Sequence, residues 1–439
     1  MDRRVLSALC LLGLGLATCS AFVVEEVQPT AGDIRAFATS AESELRTDIL
    51  PFWLDHARDA KRGGFFGQID EDMTVRPEAP RGTLLTARVL WTFSAAYRRF
   101  HDPAYLAMAQ WAFKDLNAHG WDPEFGGLFW SVSAEGAPVE TLKHVYDQSF
   151  GLYGLAEYYR ATHEKAALDR AVAIYRLIET KARDRDHGGY FESFTRDWRR
   201  DDAAQRHILG GRAPKSQNTH IHLLEAYTNL YRVCPDPQLR EDLSALLELM
   251  LTKIVDPKTH HLILYFKPDW TPASDAVSFG HDIELSWLAV EAASALGNPV
   301  LLSRAREIAL EMARVTSAQG VDVDGAILNE AGPHGLTDAN KDWWPQAEAV
   351  VGFLNAYQLS AEPRFFEASR RVWGFIQAKG IDRKNGDWWQ SLTREGQPRP
   401  NGAKVSTWKC PYHNSRSCLE ILDRLEELGR NGALKATAR

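Results

Sequence analysis

Long apolar runs are almost missing from this chain of 439 residues. The one that stands out, Val5 to Ala17, is shorter than the ~20 residues a membrane-spanning helix needs, so no span is expected. Cysteine is sparse, at five residues, of which Cys10 and Cys19 lie at the N-terminus. The other three, Cys234, Cys410 and Cys418, are an odd number without metal-ligand spacing, which argues against a disulfide framework or a zinc site. A Cys410–Cys418 bridge and three free thiols both remain open. An excess of positive charge is also missing. With 51 Lys and Arg against 58 Asp and Glu, the net charge is −7, which speaks against nucleic acid or an anionic membrane surface as partner. No low-complexity tract interrupts the chain, and its length suits one large core or two to three average domains.

The N-terminus reads as a leader. Arg3 and Arg4 precede the apolar run, and the small residues Cys19, Ser20 and Ala21 follow it. This is the pattern of a signal peptide over residues 1–21, cleaved near Ala21, with a single catalytic domain from 22 to 439. Leu16-Ala17-Thr18-Cys19 also approximates a lipobox, so a lipid anchor at Cys19 is the alternative. Either route predicts export, to the periplasm or outside the cell.

What is abundant is tryptophan, at 14 residues, several in glycine-rich loops, where an indole suits stacking on a sugar ring. Those loops repeat. Gly63-Gly64-Phe65-Phe66, Gly126-Gly127-Leu128-Phe129-Trp130 and Gly188-Gly189-Tyr190-Phe191 are followed by a degenerate copy, His261 to Phe266. Asp324-Gly325-Ala326-Ile327-Leu328 and Asn385-Gly386-Asp387-Trp388-Trp389 complete the series. Six copies roughly sixty residues apart mark a repeat architecture. Each is a turn feeding a short alternating strand, which fits small hairpins rather than a full sheet. Between copies lie two helical patterns, as at Gln148–Arg160 with Leu168–Thr180, and Asp102-Pro103 and Asp236-Pro237 read as helix starts. The last pair joins Asn414–Leu428 with the N-terminal helix around Asp33–Ala60. The expected fold is all-α, an (α/α)6 barrel of six helix pairs with hairpin loops at one end. An open solenoid would not need both chain ends to complete one pair.

Three histidine-bearing segments fall at loop-to-helix junctions: Lys215 to Glu225, Gly280 to Glu284, and Trp408 to Asn414. His222–Glu225 and His281–Glu284 are spaced to share a helix face, where a carboxylate orients an imidazole and raises its basicity. Two His-x-x-Glu pairs also raise a dinuclear metal site, but the known bundle motif has Glu before His and needs two further carboxylates, so no metal is expected. Imidazoles suit moving a proton at the carbon beside a sugar aldehyde, because histidine gives and takes protons near neutrality. Two histidines on opposite faces of the enediolate invert the carbon; one shuttling to the next carbon isomerises aldose to ketose. A buried arginine suits the oxyanion. Two carboxylates such as Asp147 and Asp342 would instead make an inverting glycoside hydrolase, and a non-catalytic sugar-binding protein is a further alternative.

Arg88 to Ser94, Tyr146 to Phe150, Asn218 to Thr228, Gly280 to Glu284, Lys341 to Glu348 and Trp408 to His413 resemble, in that order, the N-acylglucosamine 2-epimerase superfamily, and within it the cellobiose 2-epimerases. The likeness runs from about Phe37 to Leu425. It implies an (α/α)6 barrel, a carbohydrate substrate and no cofactor. It implies His281 and His413 as the two acid/base groups, His222 assisting ring opening or holding the enediolate, Glu284 orienting His281, and Arg88 on the intermediate's oxygens. Tyr146, Asn218 and Glu348 would bind sugar hydroxyls, and Trp344 and Trp408 would stack on rings.

Overall fold

A computed structural model describes residues 27–201 and 213–437, with side chains placed up to residue 430. The leader, including Cys19, lies outside the described residues.

Six inner helices form the wall of the ring: Thr83–Phe100, Val145–Thr162, Gln217–Val233, Phe279–Leu296, Trp343–Ser360 and Tyr412–Thr437. Each packs on its neighbour in chain order, and the sixth packs on the first, so the ring closes. Outside them run Pro103–Asp115, Lys165–Leu177, Pro237–Leu249, Pro299–Gln319 and Pro363–Phe375. The sixth outer place is filled from the other end of the chain, by Ala31–Glu44 continuing to Leu50–His56, with Ala31–Glu44 packed against the last inner helix. The expected toroid and its closure are therefore observed, and the solenoid is not.

Composition sorts the two layers. Every residue from Thr83 to Ala96 is buried, because inner helices have neighbours on all sides. Outer helices bury one stripe, as in Leu239, Leu243, Leu246 and Leu247. Inner-to-outer connections are tight. His101, His163, Gly297 and Ala361 take left-handed φ angles of 56°, 58°, 64° and 57° to end their helices. A cap residue then starts the outer helix, with proline at its first position after Asp102, Asp236 and Asn298.

All the long connections therefore lie at the other end, where the glycine-rich turns sit. In each, an aspartate (Asp59, Asp122, Asp184, Asp256, Asp322 or Asp382) closes the turn with its carbonyl and accepts backbone N–H groups with its carboxylate. Buried lysines add a second tie: Lys143, Lys215, Lys341 and Lys404 pair with Asp122, Asp184, Asp322 and Asp382. The strands that follow pair mostly between adjacent repeats. Lys143–His144 pairs with Ser193–Phe194, and Ile69–Asp70 pairs with Ala403–Val405, linking the first repeat to the last. Extra strands at Pro138–Glu140 and Gly335–Asp338 widen two of these sheets to three.

The degenerate fourth copy keeps the same turn. His260 occupies the left-handed seat (φ 58°) and donates its N–H to Asp256, as Gly126 and Gly188 do to their aspartates. Glycine is more strictly needed at Gly127 (φ 72°), where a Cβ would sit 2.7 Å from Gln148 Oε1. Cys234, Cys410 and Cys418 are free, which leaves the Cys410–Cys418 bridge unmade.

Candidate active site

The hairpin end of the ring holds the first turns of the inner helices in register. Gln148, His220, Asp282 and Gln346, each the fourth residue of its helix, accept the backbone N–H that follows the glycine turn, from Leu128, Tyr190, Leu262 and Ile327 at 2.8–3.1 Å. Asn414 makes the equivalent tie through Asp387, to which it donates at 2.6 Å. His220 is thereby a structural residue. Its Nδ1 faces the Ser216 carbonyl at 2.7 Å and its Nε2 accepts from Tyr190.

Two residues beyond each anchor, a side chain turns to the centre of the ring: Phe150, His222, Glu284, Glu348 and Arg416, with Arg88 in the same place two residues after Thr86. Of these, Arg88, His222 and Glu284, together with residues at the helix starts, line a cavity of ≈ 330 Å³. Arg88, Tyr146, Asn218, His222, His281, Glu284, Trp344, Trp408 and His413 all face it, as do Asp342, Trp343 and Gln390. His281 and His413 share this cavity from different helices, and both rings contact the Trp344 indole, at 4.6 and 5.7 Å.

The carboxylates behind the histidines depart from the expected pairing. His222 Nδ1 meets Glu225 Oε1 at 2.7 Å, as the spacing predicts. Glu284 does not reach His281, whose Nδ1 lies 2.8 Å from Ser278 Oγ. The hydroxyl at the strand end is nearer than a carboxylate one turn along, and Glu284 is taken up by Arg416 instead. Glu348, expected on a sugar hydroxyl, is 1% exposed and accepts from His413 Nδ1 at 2.7 Å and from Trp287 Nε1 at 3.1 Å. It orients a histidine rather than facing the cavity. Among the described residues, none of the three Nε2 atoms has a protein hydrogen-bond partner, and each of these rings lines the cavity.

Arg416 joins these groups and was not among the residues singled out from the sequence. Its guanidinium bonds Glu225, Glu284 Oε1 at 2.7 Å, Glu348 Oε1 at 2.7 Å and the Tyr412 hydroxyl. Arg88 differs. It donates to Tyr146 Oη at 2.7 Å and lies 4.0 Å from the Phe150 ring centre, but its buried Nε has no partner, and it makes no ion pair among the described residues. A desolvated cation left without an anion beside an open cavity is poised for an anionic ligand. Asp147, the other half of the hydrolase reading, is fully buried on Thr83 at 3.0 Å and does not line the cavity.

Burial disfavours charge on two of these imidazoles, pushing His281 and His413 down to about 3. Glu348 is held down to about 2. Burial alone would raise it, but Arg416 and His413 outweigh that. The histidines therefore stay neutral well below the ordinary value near 6.5. The acid limb of kcat/KM is expected below pH 6.5 rather than at it. The same depressed values make the unfolded chain bind more protons below about pH 6.5, so stability falls as pH drops. Initial rates taken where circular dichroism is unchanged separate the two effects. A limb centred at 6.5 contradicts the assignment.

Residues 64–415 match the sequence profile of the N-acylglucosamine 2-epimerase (GlcNAc 2-epimerase) family. The chain belongs to this family. It is 39% identical over 382 residues to the cellobiose 2-epimerase of Bacteroides fragilis, covering 87% of this chain and 97% of that one. It is 37% identical to the cellobiose 2-epimerase of Dictyoglomus turgidum, covering 90% and 100%. The solved cellobiose 2-epimerase of Bacillus thermoamylovorans superposes with a TM-score of 0.85 at 38% identity, over 89% of this chain and all of that one. As a member of the family the protein is an epimerase, and its helical toroid is that of its structural neighbours.

Proposed function

We propose that this protein inverts C2 of the reducing-end glucose or mannose of a β-1,4-linked disaccharide, of the cellobiose or mannobiose type. One observation carries the reading: three imidazoles and a buried arginine converge on one cavity, the Nε2 atoms without a hydrogen-bond partner and the arginine without a carboxylate among the described residues. The relatives named cellobiose 2-epimerases support the substrate class. Once the sugar is open, His281 or His413 takes the C2 proton at Nε2. His413 is set for this, because donating Nδ1–H to Glu348 leaves its lone pair on Nε2. Arg88 meets the negative charge that develops on O1 and O2, and the second histidine returns a proton from the opposite face. Trp344 and Trp408, both half-buried at the cavity, offer faces to the sugar rings. The leader supports export as the accompanying proposal, with a lipid anchor at Cys19 as its variant.

Cellobiose and mannose, supplied separately and resolved by chromatography, test the reading. The expected product is glucosyl-mannose from cellobiose. Turnover of mannose alone overturns the disaccharide assignment, and free glucose from cellobiose indicates hydrolysis. Arg88→Met is expected to lower kcat by roughly 10²–10³-fold, the usual cost of losing an oxyanion donor. Arg88→Lys falls between, because a point charge replaces a planar fork. Steady-state rates that leave Arg88→Met at the wild-type kcat refute its role.

A further inference from the structure

Among the described residues, the cluster behind the cavity holds more carboxylates than cations. Glu225, Glu284 and Glu348 all bond the single guanidinium of Arg416, and all three are buried. Three buried anions around one cation repel one another, which favours a proton on one of the carboxyls. The hydrogen bonds indicate which. Glu225 accepts from His222, Tyr412 and Arg416. Glu348 accepts from His413, Arg416 and Trp287. Among the described residues Glu284 accepts from Arg416 alone and its buried Oε2 has no partner, while the residue lines the cavity. Glu284 is thus the least stabilised anion of the three. Burial and then the charge of Glu348 both push the Glu284 carboxyl well above the usual range.

We propose that Glu284 enters the reaction as a neutral carboxylic acid and gives its Oε2 proton to the ring oxygen O5 as the sugar opens. This rests on the epimerase reading above, and it replaces the expected role of orienting His281. The step balances within the cavity. The C1–O5 bond breaks, and its electron pair on O5 takes the Glu284 proton. The O1–H proton passes to the free Nε2 of His222, and C1 becomes the aldehyde. Glu284 is left as a carboxylate beside Arg416, and His222 as an imidazolium beside Glu225. Ring closure on the inverted sugar runs the same transfers backwards, so no external acid is consumed.

Infrared difference spectroscopy on the whole protein at neutral pH reads the proton directly. Wild type minus Glu284→Gln is expected to show the C=O stretch of one protonated carboxylic acid; no such band means that Glu284 is ionised, and overturns the proposal. Gln keeps the shape and the bond to Arg416 but has no acid proton. Turnover of the cyclic disaccharide is expected to fall by roughly 10²-fold or more. Deuterium exchange at C2 of an analogue methylated at O5, which stays open, is expected to stay within a few-fold of wild type. Equal loss on both substrates overturns the ring-opening role. Glu284→Asp, which keeps an acid but withdraws it, serves as the second variant and is expected to retain the band while losing turnover. Should wild type leave every disaccharide unchanged, the epimerase reading fails while the infrared result still stands or falls alone.

Discussion

His413→Ala is expected to abolish epimerisation while the protein stays folded, and His281→Ala is expected to do the same. Losing a general acid–base group usually costs about 10²–10⁴-fold, and losing the only proton carrier on one face of the intermediate costs at least the upper part of that range. The imidazoles are placed for a role that water does not fill. Each lines the cavity, contacts the Trp344 indole and has its Nδ1 held by a fixed partner, Glu348 for His413 and Ser278 for His281. His413→Ala leaves Glu348 still bonded to Arg416 and Trp287, so its carboxylate keeps partners and the helix keeps its packing.

Isotope exchange sharpens this result. With one histidine on each face, an alanine variant that retains the other base still removes and returns a proton from one side. Each alanine variant is expected to exchange deuterium from water into C2 of only one of the two epimers, the one whose C2 proton faces the retained histidine, without forming the other. Wild type exchanges and inverts together. An alanine variant at either position with full turnover, measured by chromatography and proton NMR, refutes the two-face assignment.

The fold was legible because the repeat is a physical unit. A glycine turn, a short strand and two helical periods recur six times, and only closure buries the apolar faces of all six pairs. The fourth repeat was obscure because His260 takes a backbone conformation that glycine adopts more easily. The turn was identifiable there from a different signal, the aspartate four residues before the left-handed position, present as Asp256. The site was legible where chemistry is local. His222 and Glu225 lie one turn apart on one helix, and their bond follows from spacing. Glu348 and His413 lie on different helices, and so do Glu284 and Arg416; the ring, not the chain, brings them together. Local spacing therefore assigned Glu284 to His281 wrongly and passed over Arg416. The signal that finds Arg416 is the register: it stands two residues after Asn414, as Arg88, His222, Glu284 and Glu348 stand after their own anchors.

Arg416→Met is expected to give the largest loss of stability of any single substitution at the site. Met fills much of the same space, so packing changes little and the charge effect is isolated. Glu225 and Glu348 keep their histidine donors but lose the cation that offsets their burial. Breaking a buried pair from one side typically costs about 3–5 kcal/mol, because the remaining charge has no compensation. Urea unfolding followed by circular dichroism measures the loss, and its pH dependence identifies the cause. Glu348 sits at about 2 in the folded protein against an ordinary 4.5, so its stabilisation is complete above about pH 4.5 and disappears as pH falls towards 2. In the Met variant the part of that depression that comes from Arg416 is removed. The stability gap between the two proteins is therefore expected to be widest near neutrality and to narrow as the pH falls through that window. A gap that is constant with pH would assign the loss to packing around Tyr412 and Trp287, whose rings lie 4.4 and 4.8 Å from the guanidinium, and not to the carboxylates.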